Sequence, residues 1–148
     1  MGRKKQTWKF KDFESATANG RWVRIAGDML QSKAWEQLDV YEQVLYLHMK
    51  NKFRVNKHGE SNDRNISFTY EEGQKLMSKP RFTKAIDKLI EVGFLDLVEH
   101  WRHSKKPTIY GLSVRWKDYN TKDFKKKIRP KAQCPYRGGR KPKEQFFA

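Results

Sequence analysis

Lys79-Pro80-Arg81-Phe82-Thr83-Lys84-Ala85-Ile86-Asp87-Lys88-Leu89-Ile90-Glu91-Val92-Gly93-Phe94-Leu95 is the stretch on which the fold turns. Phe82, Ala85, Ile86, Leu89 and Ile90 recur at i, i+3, i+4, i+7 and i+8, the spacing of one continuous apolar helix face. Ser78 stands where a side chain can cap the helix, and proline is tolerated in the first turn because its missing N–H has no partner there. Gly93 falls where a left-handed C-terminal cap is wanted. Phe94-Leu95-Asp96-Leu97-Val98 then reads as a strand.

Upstream, Thr69 caps a short helix running to about Met77, with Glu71 and Glu72 favourably placed in its first turn. Ile66-Ser67-Phe68 alternates like a short strand, and residues 54–65 are polar and read as a loop. Asp39 and Glu42 form a capping-box pattern that opens another helix. Its apolar positions are Tyr41, Val44, Leu45, His48 and Met49, with His48 as a hydrogen-bonded core residue. Trp22-Val23-Arg24-Ile25 is a short entry segment. Downstream, a basic connection over residues 101–107 leads to a returning strand bearing Ile109, Leu112, Val114 and Trp116. Helix, strand, helix, turn, helix, strand, basic loop, strand is the order of a winged helix-turn-helix. The expected fold class is α+β, a three-helix core with a small antiparallel sheet.

Charge divides the chain of 148 residues. Its 33 Lys and Arg against 17 Asp and Glu give a formal net charge of +16. Residues 1–20 carry +3, residues 21–116 carry +5 and residues 117–148 carry +8. Three prolines and the pair Gly138-Gly139 fall in that last stretch, which cannot bury enough apolar surface to fold alone. The expected organisation is a basic arm over 1–20, a folded domain over 21–116 and a flexible basic tail over 117–148. Aromatic residues make up 14% of the chain, more than a disordered basic polymer would carry. No apolar run approaches the roughly 18 residues of a membrane span, and no signal-peptide pattern is present. The single cysteine, Cys134, excludes an intramolecular disulfide and a multi-cysteine zinc site. The expected setting is cytoplasmic, and a charge this positive points to a polyanion such as nucleic acid.

Phe68 to Trp116 resembles a winged-helix DNA-binding module, with residues 79–95 similar to the recognition helix and its exit. The longer span from Trp22 to Trp116 is similar to winged-helix proteins of bacterial plasmids, integrative elements and phages, including the amino-terminal domains of plasmid replication initiators. In that group a segment like Met29-Leu30-Gln31-Ser32-Lys33-Ala34-Trp35 precedes a helix rich in Leu-Tyr-Leu, here Leu45-Tyr46-Leu47. Met77-Ser78-Lys79-Pro80 departs from the small residue and Val/Ile common in the turn of many relatives. The resemblance implies a double-stranded DNA partner, nucleoid association, and a role in transcription regulation, DNA replication or transfer. It admits a homodimer.

Candidate contacts follow from helical geometry. With Phe82, Ile86 and Leu89 inward, Lys84, Asp87, Lys88 and Glu91 point outward, flanked by Lys79, Arg81 and Thr83. Arg and Lys can pair with guanine edges, and Thr can touch a thymine methyl or a phosphate. The competing view is the ordinary solvated face of a core helix. Trp101, Arg102, His103, Lys105 and Lys106 form the candidate wing, the cations tracking phosphates; Trp101 either packs on a sugar or covers the domain's own core. Arg137, Arg140 and Lys141 lie in a run loosely like an AT-hook, one glycine too long, and read better as an electrostatic tether. Catalysis is not supported: His100 and His103 lack a third ligand, Glu71 and Glu72 do not face each other on a helix, and no nucleophile or phosphate-cradling motif occurs. No cofactor is expected. Two other classes remain beside the DNA reading, an RNA-binding or ribosome-associated basic protein and a protein-docking adaptor.

Overall fold

Capping decides where the helices begin in the computed structural model, which describes residues 11–17, 20–100 and 106–130. Ser32 accepts from the Trp35 N–H and starts α2 (Lys33–Glu36), which follows the single turn α1 (Gly27–Leu30). Asp39 accepts from the Tyr41 and Glu42 N–H groups, and the Glu42 carboxylate accepts in return from the Asp39 N–H, so the capping box opens α3 (Val40–Asn51) as expected. Thr69 and Glu72 repeat the device at α4 (Tyr70–Gln74) after the short strand β1 (Ile66–Ser67). Asp39→Ala should cost about 1 kcal/mol, read as a lower urea midpoint with unchanged slope.

Helix α5 (Lys79–Val92) carries Pro80 in its first turn and ends at Gly93, whose φ is +103°. A Cβ there would strain the left-handed backbone and sit 2.7 Å from the Trp116 backbone nitrogen, which donates to the Gly93 carbonyl. Strand β2 (Leu95–Glu99) pairs antiparallel with β3 (Ile109–Leu112), and β3 pairs with β1, so the sheet order is β1-β3-β2. A 3₁₀ turn, Arg115–Asp118, closes the sheet side. The described architecture is therefore α+β, five α-helices with one three-stranded antiparallel sheet, compatible with the expected winged-helix layout.

The core lies between α3, α5 and the sheet. Leu45, Met49, Ile86, Leu89, Ile90, Phe94 and Leu95 are fully enclosed. Trp35, Tyr46 and Trp116 gather around Phe94, with ring centroids 5.2 to 5.8 Å from it. Burial pushes the Tyr46 hydroxyl up to about 12. Lys52 ties the end of α3 to the next elements, donating to the Ser67 carbonyl and pairing with Glu72.

Several local expectations are corrected. The buried face of α3 is Glu42, Leu45, Tyr46 and Met49, rotated by about one residue from the expected stripe, because the capping box folds Glu42 back and the Trp35–Phe94 pair selects Tyr46 over Tyr41. His48 is exposed rather than a core residue. Helix α4 stops at Gln74, three residues short of Met77, and the Ser78 side chain makes no capping hydrogen bond although Ser78 holds the N-cap position. The last strand ends at Leu112; Val114 is exposed, and Trp116 sits in the 3₁₀ turn to stack on Phe94. Within the stretch assigned from composition to the tail, residues 125–129 make the contacts with the body described next.

Candidate nucleic-acid interface

The outer surface of α5 resolves into two stripes. Arg81, Lys84 and Lys88 follow i, i+3, i+7 spacing on one, and Thr83, Asp87 and Glu91 follow i, i+4, i+8 spacing on the other.

The second stripe is covered by the chain beyond the 3₁₀ turn. Arg129 Nε lies 2.7 Å from Asp87 Oδ1, and its Nη2 donates to the Thr83 carbonyl at 3.4 Å. Lys126 Nζ lies 3.2 Å from Glu91 Oε1. The two carboxylates that would repel a phosphate backbone from this helix are thus each matched by a cation from residues 126–129. Arg129 also reaches Tyr110 of β3, whose hydroxyl is raised by burial against the pull of that guanidinium.

The cationic stripe is less occupied. Lys84 is exposed and Lys88 half-exposed, and neither has an ion pair among the described residues. Arg81 is more committed: Nη1 lies 3.5 Å from Asp39 Oδ2, and the guanidinium sits 4.3 Å over the Tyr41 ring. Both partners of that ion pair are about half exposed, so the contact is screened and an incoming phosphate can compete for it. Lys79 lies 4.8 Å over the Tyr70 ring at the start of the helix. Thr83 turns its hydroxyl back to the Lys79 carbonyl and faces the covered stripe. The structure thus brings Arg81, Lys84 and Lys88 to one surface, while Lys79 falls with Thr83 on the row that continues to Asp87 and Glu91.

A buried ion cluster fixes that surface against the sheet. The Asp96 carboxylate, 7% exposed as a residue, meets Arg115 Nε and Arg64 Nη1 at 2.9 Å each and Lys127 Nζ at 3.3 Å. Burial alone would raise the Asp96 carboxyl; hydrogen bonds from Arg64 and Arg115, the Arg115 charge and the Lys127 hydrogen bond outweigh it and hold it below the usual carboxylate range. Arg115 also donates through Nη2 to the Ile90 and Leu95 carbonyls and through Nη1 to the Lys125 carbonyl. Arg64 crosses Gly111, the register partner of Asp96, at a distance that leaves no room for a side chain: a Cβ there would meet Nη1 at 2.5 Å.

Trp101, Arg102, His103 and Lys105 of the candidate wing, and Arg137, Arg140 and Lys141, lie outside the described residues. Lys106 is exposed at the end of the β2–β3 connection and is engaged rather than free. His100 Nδ1 lies 3.2 Å from Thr108 Oγ1. Among the described residues no group of three His, Cys, Asp or Glu is placed to hold a metal ion, and no helix is long and apolar enough to cross a membrane. Nothing in the sequence alone singles out Arg64, Arg115, Lys126, Lys127 or Arg129. The spacing in Lys125-Lys126-Lys127-Ile128-Arg129 was the available signal, visible only as charge.

No family model, curated protein or solved structure matches the chain.

Proposed function

We propose that this chain is a winged-helix protein that binds double-stranded DNA, with α5 as the helix entering the major groove and the β2–β3 connection as the wing. The observation that carries the reading is the pairing on α5. Arg81, Lys84 and Lys88 form a cationic stripe, while Asp87 and Glu91 on the same helix are matched by Arg129 and Lys126. A surface so arranged presents positive charge to phosphates and flexible donors to base edges. The resemblance noted in the sequence supports a role as a regulator, or as a replication or transfer accessory, of a bacterial mobile element or phage.

The test starts with duplexes selected from a random pool at about 150 mM salt, near physiological ionic strength. Lys84→Glu/Lys88→Glu touches no ion pair among the described residues, so each change should alter stability by less than about 0.5 kcal/mol. Duplex affinity should fall by about 30-fold or more, because repulsion replaces contacts that release counterions. Arg81→Ala should lose less than this double reversal, since Asp39 and Tyr41 already hold Arg81. A folded double variant that retains parental affinity for the selected duplex rules the reading out.

A further inference from the structure

A second cationic surface lies at the far end of α3, about 18 Å along a helix of 12 residues from the Arg81–Asp39 contact. The segment entering the domain runs past the last turn of α3 and leaves a cleft of about 420 Å³. Among the described residues, Arg21, Arg24, Lys50 and Arg54 line it together with Trp22, and no carboxylate does.

These cations divide by what they already do. Arg21 Nη2 donates to the Asn51 carbonyl at 2.9 Å and to its side-chain oxygen at 3.0 Å, and Arg54 also donates to the Asn51 carbonyl. Both are spent on the carbonyl of Asn51, the last residue of α3. Arg24 and Lys50 have no carboxylate partner among the described residues. Arg24 lies 4.8 Å over one face of Trp22, and Lys50 lies 5.8 Å from the Tyr46 ring centroid. Burial lowers the Lys50 amine below the ordinary lysine value, and the Arg24 charge lowers it further. Two like charges are therefore held near one another with no carboxylate partner among the described residues, a condition that an anion relieves. Trp22 is 59% exposed, an uncommon degree for so large an apolar ring, and it stands beside them.

We infer that this cleft binds a nucleotide unit, its phosphate held between Arg24 and Lys50 and its base stacked on Trp22. Stacking on an aromatic ring beside a cationic groove is how unpaired bases are held without regard to sequence. A paired base in a duplex does not offer its face, so this chemistry differs from that of the α5 stripe and does not depend on it. The unit can come from a free mononucleotide or from an unpaired strand, and the two share the same contacts.

Anisotropy of a labelled short oligothymidylate, with competition by thymidine monophosphate and by inorganic phosphate, tests the assignment on the full chain at about 150 mM salt. Trp22→Ala should weaken oligothymidylate binding by roughly tenfold, the scale of one lost base stack. Arg24→Gln and Lys50→Gln should each weaken it several-fold while the melting temperature holds. Arg24 and Trp22 are exposed, so these variants keep the test valid even if Lys50→Gln unfolds. Competition by thymidine monophosphate, lost in Trp22→Ala, identifies a free nucleotide as a sufficient ligand; oligothymidylate binding without such competition identifies a strand. Parental binding by folded Trp22→Ala overturns the inference. So does competition by inorganic phosphate as effective as that by the mononucleotide, since the base would then contribute nothing. Lys84→Glu/Lys88→Glu should leave the Trp22-dependent binding in place, which separates failure here from failure of the duplex reading.

Discussion

Arg115→Met should lower the unfolding free energy by about 3–5 kcal/mol, the range seen when one partner of a buried charge pair is removed. Methionine fills much of the space but supplies no donor. It leaves Asp96 without its most buried cation and removes the Nη2 donor from the Ile90 and Leu95 carbonyls. For a domain of this size the loss corresponds to a fall in melting temperature of more than about 12 °C. Arg115→Lys should recover only part of it, because one ammonium cannot reach the Asp96 carboxylate and the Ile90, Leu95 and Lys125 carbonyls together. Acid unfolding adds a second readout with a definite sign. The folded Asp96 carboxyl is held low, so its contribution is present above the unfolded value of about 3.9 and is lost as pH falls through the lower folded value. Removing Arg115 raises the folded value, and the acid midpoint should move to higher pH. An unchanged melting temperature and an unchanged acid midpoint would together refute the role given to this cluster.

Phe94→Ala should cost a similar amount, about 3–5 kcal/mol, by a different route. The ring is fully enclosed, edge-on to Trp35 and Tyr46 and stacked on Trp116 with 6° between the planes. Its removal opens a cavity where α2, α3, β2 and the 3₁₀ turn meet. Phe94→Leu, which refills part of that volume, should cost less than half as much. Chemical unfolding gives the energies, and near-ultraviolet circular dichroism should report the loosened tryptophans. A cost below about 1 kcal/mol for the alanine variant would mean that the four rings do not act as one packed unit.

Helix α5, the Asp39–Glu42 capping box and the Thr69 cap were legible because their determinants are local. Phe82, Ala85, Ile86 and Leu89 mark the buried face within three turns, and Gly93 marks the stop within one residue of it. Helix α3 carries apolar residues around much of its circumference, so its own sequence does not choose between the Tyr41 and Tyr46 faces. Trp35, outside the helix, and Phe94, distant in sequence, make that choice. The strand carrying Ile109 ends earlier than its sequence suggests for a related reason. Alternation continues through Val114 and Trp116, but Val114 leaves the extended conformation at φ −100° and ψ −1°, and Trp116 turns in to stack on Phe94. Of the candidate site, the cations on α5 were readable from helical spacing alone. Arg129 and Lys126 were not, because pairing with Asp87 and Glu91 joins positions 42 and 35 residues apart. Composition registers such residues only as a charged run. Trp22 and Arg24 were visible as an entry segment, while their meeting with Lys50 required the folded chain.

The docking of residues 125–129 changes how a shortened version of this protein would have to be interpreted. A fragment ending at Trp116, the boundary that composition suggests, would not be the same domain minus an appendage. It would strip the counterions from Asp87 and Glu91, the third cation from Asp96 and one acceptor from Arg115. Weak nucleic-acid binding by such a fragment would reflect a helix surface turned more acidic as much as any contact made by the missing residues. Deletion mapping would then credit the removed segment with touching a ligand when its part was to mask two carboxylates. Point substitutions at Lys126 and Arg129 in the intact chain separate those contributions, and a minimal fragment for structural work should extend at least through Arg129.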